Sequence, residues 1–188
     1  MDIDKINEYL KEGCESRLNL DVNKIKNIGE EITNCIREGK KIILMGNGGS
    51  AADAQHIAAE FVGKFELERK PYPAIALHTN TSTVTAIGND YGFEKVFERQ
   101  IDAFANKGDV VIALSTSGNS LNVIRGIEKA KEKGCIIVGI TGKKGGKMAS
   151  LIDDKHLIKI GSERTPIIQE VTITVGHILS KIVEDNIR

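Results

Sequence analysis

In the stretch GNGGSAADAQHIAAE (residues 46–60), a glycine-rich turn runs directly into an alanine-rich segment carrying His56 and Glu60. Four residues apart, the two share one face of a helix. An imidazole and a carboxylate so placed can ligate a divalent metal or move a proton. Such pairs are common on solvated faces; the turn immediately before this one favours a functional reading. A second cluster lies in STSGNSLNVIRG (residues 115–126), where Ser115, Thr116, Ser117 and Ser120 offer four hydroxyls within six residues. In both stretches small residues let the backbone approach a ligand, and a helix N-terminus follows. Unpaired amides and the helix dipole favour an anion there. The serine cluster contains no cation, which suits a phosphate monoester held by neutral hydrogen bonds. The plainer alternative is a serine-rich turn with a cap at Asn119 or Ser120. Near the end of the chain, Gln169, Gly176 and His177 interrupt an apolar segment. A polar side chain buried there needs a partner, and for His177 alone a satisfied core histidine is the plain reading. His78 and His156 are read as core or surface histidines.

Two nucleotide readings fail on spacing. Gly46, Gly48 and Ala51 match a loose dinucleotide fingerprint, but the strand PAIAL ends at His78 and Thr79 with no carboxylate to hold a ribose. TGKKGGK (residues 141–147) lacks the serine or threonine that follows the lysine of a phosphate-binding P-loop.

The elements that must position these groups alternate. Two amphipathic helices open the chain, with Ile3, Ile6, Leu10 and Cys14 on one stripe and Ile25, Ile28, Ile32 and Cys35 on the other. Asp21 caps the second helix, and Gly39 lies just past its end. KIILMG, PAIAL, DVVIALS, CIIVGIT and KHLIKIG then read as five buried strands, separated by helical stretches such as SLNVIRGIEKAKEKG. The last segment, PIIQEVTITVGHILSKIVEDNI, reads as a long helix burying Ile168, Val171, Val175, Ile178 and Ile182. The expected fold is α/β, a doubly wound five-stranded parallel sheet of flavodoxin-like type with an N-terminal helical pair. It forms one domain over residues 1–188, with residues 1–38 serving oligomerisation and 41–188 the α/β sandwich. The reason is that crossover helices already cover the sheet, leaving the leading stripes to another copy of the chain.

Composition narrows the partners. Twenty-six basic residues balance 26 acidic ones, and aromatic residues make up 4%. That is no footprint for nucleic acid. No apolar run approaches the roughly 20 residues that span a bilayer, and the acidic start is unlike a secretory signal. Cys14, Cys35 and Cys135 show no metal spacing, which reads as reduced thiols in core or interface positions of a cytoplasmic protein.

Taken together, GNGGSAADAQHIAAE, YPAIALHTNTSTVTAIGNDYGFEKVFERQ, ALSTSGNSLNV and QEVTITVGHIL resemble the motifs of a sugar isomerase (SIS) domain, and more closely those of the phosphoheptose isomerase family, in order over nearly the whole chain. The resemblance implies interconversion of sedoheptulose 7-phosphate and a manno-configured heptose 7-phosphate through an enediol, the first step towards activated heptose for lipopolysaccharide or capsule. It places Asn47, Gly48, Gly49, Ser50, Asn89, Asp90 and Gln169 on the sugar, and Ser115, Thr116, Ser117 and Ser120 on the phosphate. Glu60 and His177 would carry the proton transfers. The zinc ligands would be His56, Glu60, Gln169 and His177, in a homotetramer. Pro166 departs from relatives that have an aspartate there. A related class of non-catalytic adaptors, which bind a replication initiator protein, shares the fold and much of the phosphate loop; Glu60, Gln169 and His177 together favour the enzyme. Gln169 and His177 lie eight residues apart, about 12 Å along a helix. The site is therefore expected at a subunit interface, with one of the two supplied by a neighbouring chain.

Overall fold

The computed structural model describes residues 2–187. Helices α1 (Ile3–Leu18) and α2 (Val22–Arg37) lead into strand β1 (Ile42–Met45), followed by α3 (Gly49–Val62), β2 (Ala74–Ala76), α4 (Thr81–Tyr91) and α5 (Val96–Phe104). Then come β3 (Val110–Ser115), α6 (Leu121–Glu132), β4 (Ile136–Gly142), the single turn α7 (Met148–Leu151), β5 (Leu157–Ile160) and α8 (Thr165–Asn186). Asp2 and Asp21 cap the first two helices by accepting the backbone N–H of Lys5 and Lys24. All five strands run parallel in the order β2-β1-β3-β4-β5, as expected.

Alternate strand residues face opposite layers. Ile42, Leu44, Val110, Ile112, Val138 and Ile158 meet α2, α3 and α8 on one face. Ile43, Met45, Val111, Ala113 and Ile137 meet α5 and α6 on the other. Among the described residues, no helix is long and apolar enough to cross a membrane.

Two sequence expectations for the helices change. The leading helices are not equivalent. Ile25, Ile28, Ile32 and Cys35 of α2 are buried in the main core, so this helix has its partner within the chain. Ile3, Ile6 and Leu10 of α1 are 75%, 44% and 60% exposed. Cys14 lies on that exposed helix, outside the core. On α8, Ile178 is exposed and Ile182 only partly buried, whereas Ile167, Thr172, Leu179 and Val183 are buried. Packed against the sheet, α2 and α3 at once, α8 buries a face wider than the stripe read from its sequence.

Candidate active site

Strand order reverses between β1 and β3, whose C-terminal ends lie side by side with Met45 opposite Ala113. Ligands of doubly wound sheets bind beyond such a switch point. The glycine loop 46–50 follows β1 and the serine loop 115–120 follows β3, so both predicted anion loops converge there. Reciprocal amide hydrogen bonds join them. Asn47 Nδ2 donates to Asn122 Oδ1 at 2.9 Å, and Asn122 Nδ2 donates to Asn47 Oδ1 at 2.8 Å. Asn122, buried in the first turn of α6, escaped the sequence reading because its partner is 75 residues away.

The N-terminus of α3 follows Gly48, which makes no side-chain cap. Ser120 occupies the cap position of α6 without capping it; its hydroxyl lies 3.0 Å from Ser115 Oγ instead. Of the two candidate caps, Ser120 therefore does not cap α6. Ser117 Oγ accepts the Asn119 N–H. Ser50 is buried beneath the glycine loop, while Gly48 and Gly49 are exposed.

From this end α3 runs alongside α8 in the same direction. Gln169 packs on Gly49, His177 meets His56, and Glu184 reaches the loop after α3. The helices approach closely at Gly176, where a Cβ would stand 2.4 Å from Ile57 Cγ1. That contact accounts for the glycine interrupting α8.

His56 Nε2 lies 2.9 Å from Glu60 Oε1 and 3.1 Å from His177 Nε2, and the donor atoms of the three residues all lie within 4.8 Å of one another. In neutral rings a single Nε2 proton on His56 can serve Glu60 or His177, not both. The cluster thus holds an excess of lone pairs aimed at one point. Two imidazoles and a carboxylate are donors zinc accepts, and tetrahedral donors at bond lengths of about 2.0–2.2 Å stand roughly 3.3 Å apart. The three residues fit a divalent ion.

The remaining candidates are placed differently. Gln169 of α8 packs on Gly49, seven residues and about 10 Å along α3 from His56, and does not join the cluster within one chain. Asn89 and Asp90 end α4, exposed, with Asn89 Nδ2 donating to Asp90 Oδ1 at 2.8 Å. Asp90 lines a surface cavity with Tyr91 and Arg99, away from the serine loop. Asp53, unremarked in the sequence, lies between Gly49 and His56. Burial pushes its carboxyl up to about 6 despite the nearby His56, and Oδ2 is buried with no hydrogen-bond partner among the described residues. His78 is partly buried, with burial lowering its pKa against a backbone contact to Ala51.

A second layer holds the cluster. Arg69 donates to the backbone carbonyls of Glu60 at 2.6 Å, Phe61 at 3.0 Å and Gly63 at 3.2 Å, which end α3. Its Nε also bonds Glu184 Oε1 of α8 at 3.2 Å. Glu184 additionally accepts the Glu66 N–H at 3.0 Å and the Phe65 N–H at 3.2 Å. The side chains of Arg69 and Glu184 are 8% and 1% exposed. This tie escaped sequence reading because charged residues 115 positions apart carry no local signal.

Comparison with known proteins identifies the family and the fold. The SIS domain family model matches residues 4–142. A probable phosphoheptose isomerase of Thermoplasma acidophilum is 50% identical over 95% of this chain and 97% of its own length. The chain belongs to the phosphoheptose isomerase family. Two solved members of that family have the same fold: the enzyme of Neisseria gonorrhoeae, with a TM-score of 0.88, 38% identity and coverage of 97% and 96% of the two chains, and that of Francisella tularensis, with 0.93, 30%, 98% and 99%.

Proposed function

We infer that this chain is an aldose–ketose isomerase that converts sedoheptulose 7-phosphate to D-glycero-D-manno-heptose 7-phosphate. The carrying observation is that Glu60 and His177 meet on the α3–α8 face leading away from an anion-binding switch point, in a chain of this family. The hydroxyls of Ser115, Thr116, Ser117 and Ser120, with the amides opening α6, hold the phosphate. Asn47, Gly48, Gly49, Ser50 and Gln169 line the path of the sugar along α3, and Asn89 and Asp90 approach it from a neighbouring copy. The roughly 10 Å from Gly49 to His56 is a span that an open-chain heptose can bridge.

Aldose–ketose exchange moves one proton between C1 and C2 and another between their oxygens. Glu60 takes the carbon-bound proton from C1 of the ketose, and its conjugate acid returns a proton at C2. His177, on the facing helix, exchanges protons with the O1 and O2 oxygens. His56, within hydrogen-bond distance of both, steers the Glu60 carboxylate. His56, Glu60, Gln169 and His177 would hold zinc, which supplies polarisation of the carbonyl and stabilisation of the enediolate charge when bound. A carboxylate tied to an ion would be a weaker base, so the base and ligand roles of Glu60 are alternatives.

The four ligands are completed across a subunit interface. Gln169 lies away from His177 within one chain, so one of the two would come from a neighbouring copy. The exposed apolar residues of α1 support a homo-oligomer, here a tetramer. The enzyme works in the cytoplasm, and its product feeds activated heptose for lipopolysaccharide or capsule.

The test is turnover of sedoheptulose 7-phosphate by the purified protein, as isolated, after chelation and with zinc restored, beside Glu60→Gln and His177→Ala. Turnover abolished in both variants, with folding retained, is the expected result. Absence of turnover by the folded oligomer under every condition would refute the isomerase reading and restore the adaptor alternative.

A further inference from the structure

The lysines of TGKKGGK match no nucleotide loop, yet the fold brings them to the serine loop. A cavity of about 230 Å³ beyond β3, β4 and β5 is lined by residues that include Thr116, Ser117, Lys143, Lys144, Ser162 and Glu163. Backbone fit holds the two loops together. Gly142 N–H donates to the Thr116 carbonyl at 3.1 Å, Met148 N–H to the Gly118 carbonyl at 3.0 Å, and Lys147 N–H to Asn119 Oδ1 at 2.8 Å. Gly118, with φ +66°, packs on Gly145 so closely that a Cβ would stand 2.1 Å from its carbonyl oxygen.

The charges lining the cavity differ in what they already do. Lys144 Nζ is committed to Glu163 Oε2 at 2.7 Å. Among the described residues no side-chain hydrogen bond or ion pair holds Lys143, which is exposed and exerts the smallest of the pulls on Glu163. Glu12 of α1, which reaches the cavity wall at Ser162, is spent on Ser162 and Arg164 at 2.7 Å each. The cavity that Thr116 and Ser117 line therefore carries one positive charge with no ion-pair partner among the described residues.

We propose that Lys143 is a phosphate-binding residue of this enzyme, supplying from the β4–α7 loop the positive charge that the serine loop lacks. The proposal rests on the sugar-phosphate isomerase reading above. Neutral hydroxyls and helix amides orient a phosphate monoester, and the Lys143 ammonium offsets its second negative charge through a charge-assisted contact. Glu163 opposes this by holding Lys144 and placing a carboxylate on the rim. Lys143→Gln and Glu163→Gln should therefore act in opposite directions.

The experiment combines steady-state kinetics on sedoheptulose 7-phosphate with calorimetric titration of inorganic phosphate, which needs no turnover. Lys143→Gln is expected to raise both KM and the phosphate Kd about tenfold, as for loss of one charge-assisted bond, with kcat within about twofold. Lys143→Arg should restore most of the affinity, and Glu163→Gln should tighten phosphate severalfold. Unchanged KM and phosphate Kd in a Lys143→Gln protein of wild-type thermal midpoint would overturn the proposal. So would shifts of the same sign in the Lys143→Gln and Glu163→Gln variants, which would mark a general disturbance of the loop. A wild type that binds phosphate through Lys143 without turning over the sugar would refute the isomerase reading instead.

Discussion

Removing the guanidinium of Arg69 tests how the site is held. Arg69→Ala leaves Glu184, 1% exposed, without its buried counter-charge and leaves the carbonyls of Glu60, Phe61 and Gly63 without their donor. Breaking a buried ion pair from one side costs about 3–5 kcal/mol, and a domain of this size loses about 2–4 °C of Tm per kcal/mol. A fall of at least about 6 °C is expected by calorimetry at matched protomer concentration, since any oligomer makes Tm concentration-dependent. The pH dependence follows from Glu184. Burial alone would raise its pKa, but the backbone N–H groups of Glu66, Leu67 and Phe65 together with Arg69 outweigh it and hold the carboxyl below its ordinary value. A depressed pKa contributes stability above the unfolded value that is lost as pH falls through the folded one. The gap between wild type and Arg69→Ala should therefore be full at pH 7 and narrow below about pH 4.5. Combining Arg69→Ala with Glu184→Gln should cost at least about 1 kcal/mol less than the two single changes added together, because the second substitution removes the stranded charge. A Tm loss under about 2 °C, or strict additivity of the two changes, would refute the reasoning.

Gly176→Ala places a methyl group against Ile57 Cγ1 and should part α3 from α8, costing about 1–3 kcal/mol and weakening divalent-metal binding by His56, Glu60 and His177; zinc titration by calorimetry reads the second effect. Burial lifts Asp53 to about 6, so its charged form destabilises the fold as pH rises from its unfolded value towards 6 and above. Asp53→Asn should accordingly raise Tm at pH 7.5, and the advantage should vanish near pH 4; equal midpoints at both pH values would contradict this. Leu10→Lys on the exposed stripe of α1 should shift the protein to smaller species by light scattering while leaving far-ultraviolet circular dichroism unchanged.

The strand pattern made the fold class readable because β1, β3 and β4, buried on both faces, are apolar nearly throughout. The edge strands β2 and β5, expected to be buried, instead expose Ile75 and Lys159, because an edge is covered on fewer sides. Helices α4 and α5 were less legible. TSTVTAIGNDY is rich in β-branched and polar residues and buries none of them. The chemistry of the site was equally visible in part. His56 and Glu60 share a face by helical period alone, and two loops with free amides announce an anion.

What the chain by itself determined was each local unit: capped helices, buried strands, and loops able to take an anion. Only the tertiary structure decided which units meet. The order β2-β1-β3-β4-β5 set the two anion loops side by side and let Asn47 find Asn122. The Gly176–Ile57 contact brought His177 to His56, and the path of the chain after β4 carried Lys143 to the serine loop. The physical reason is range. Helical and strand periodicities are set by a few neighbouring bonds, whereas a partner 28, 75 or 121 residues away is chosen by the packing of the whole core.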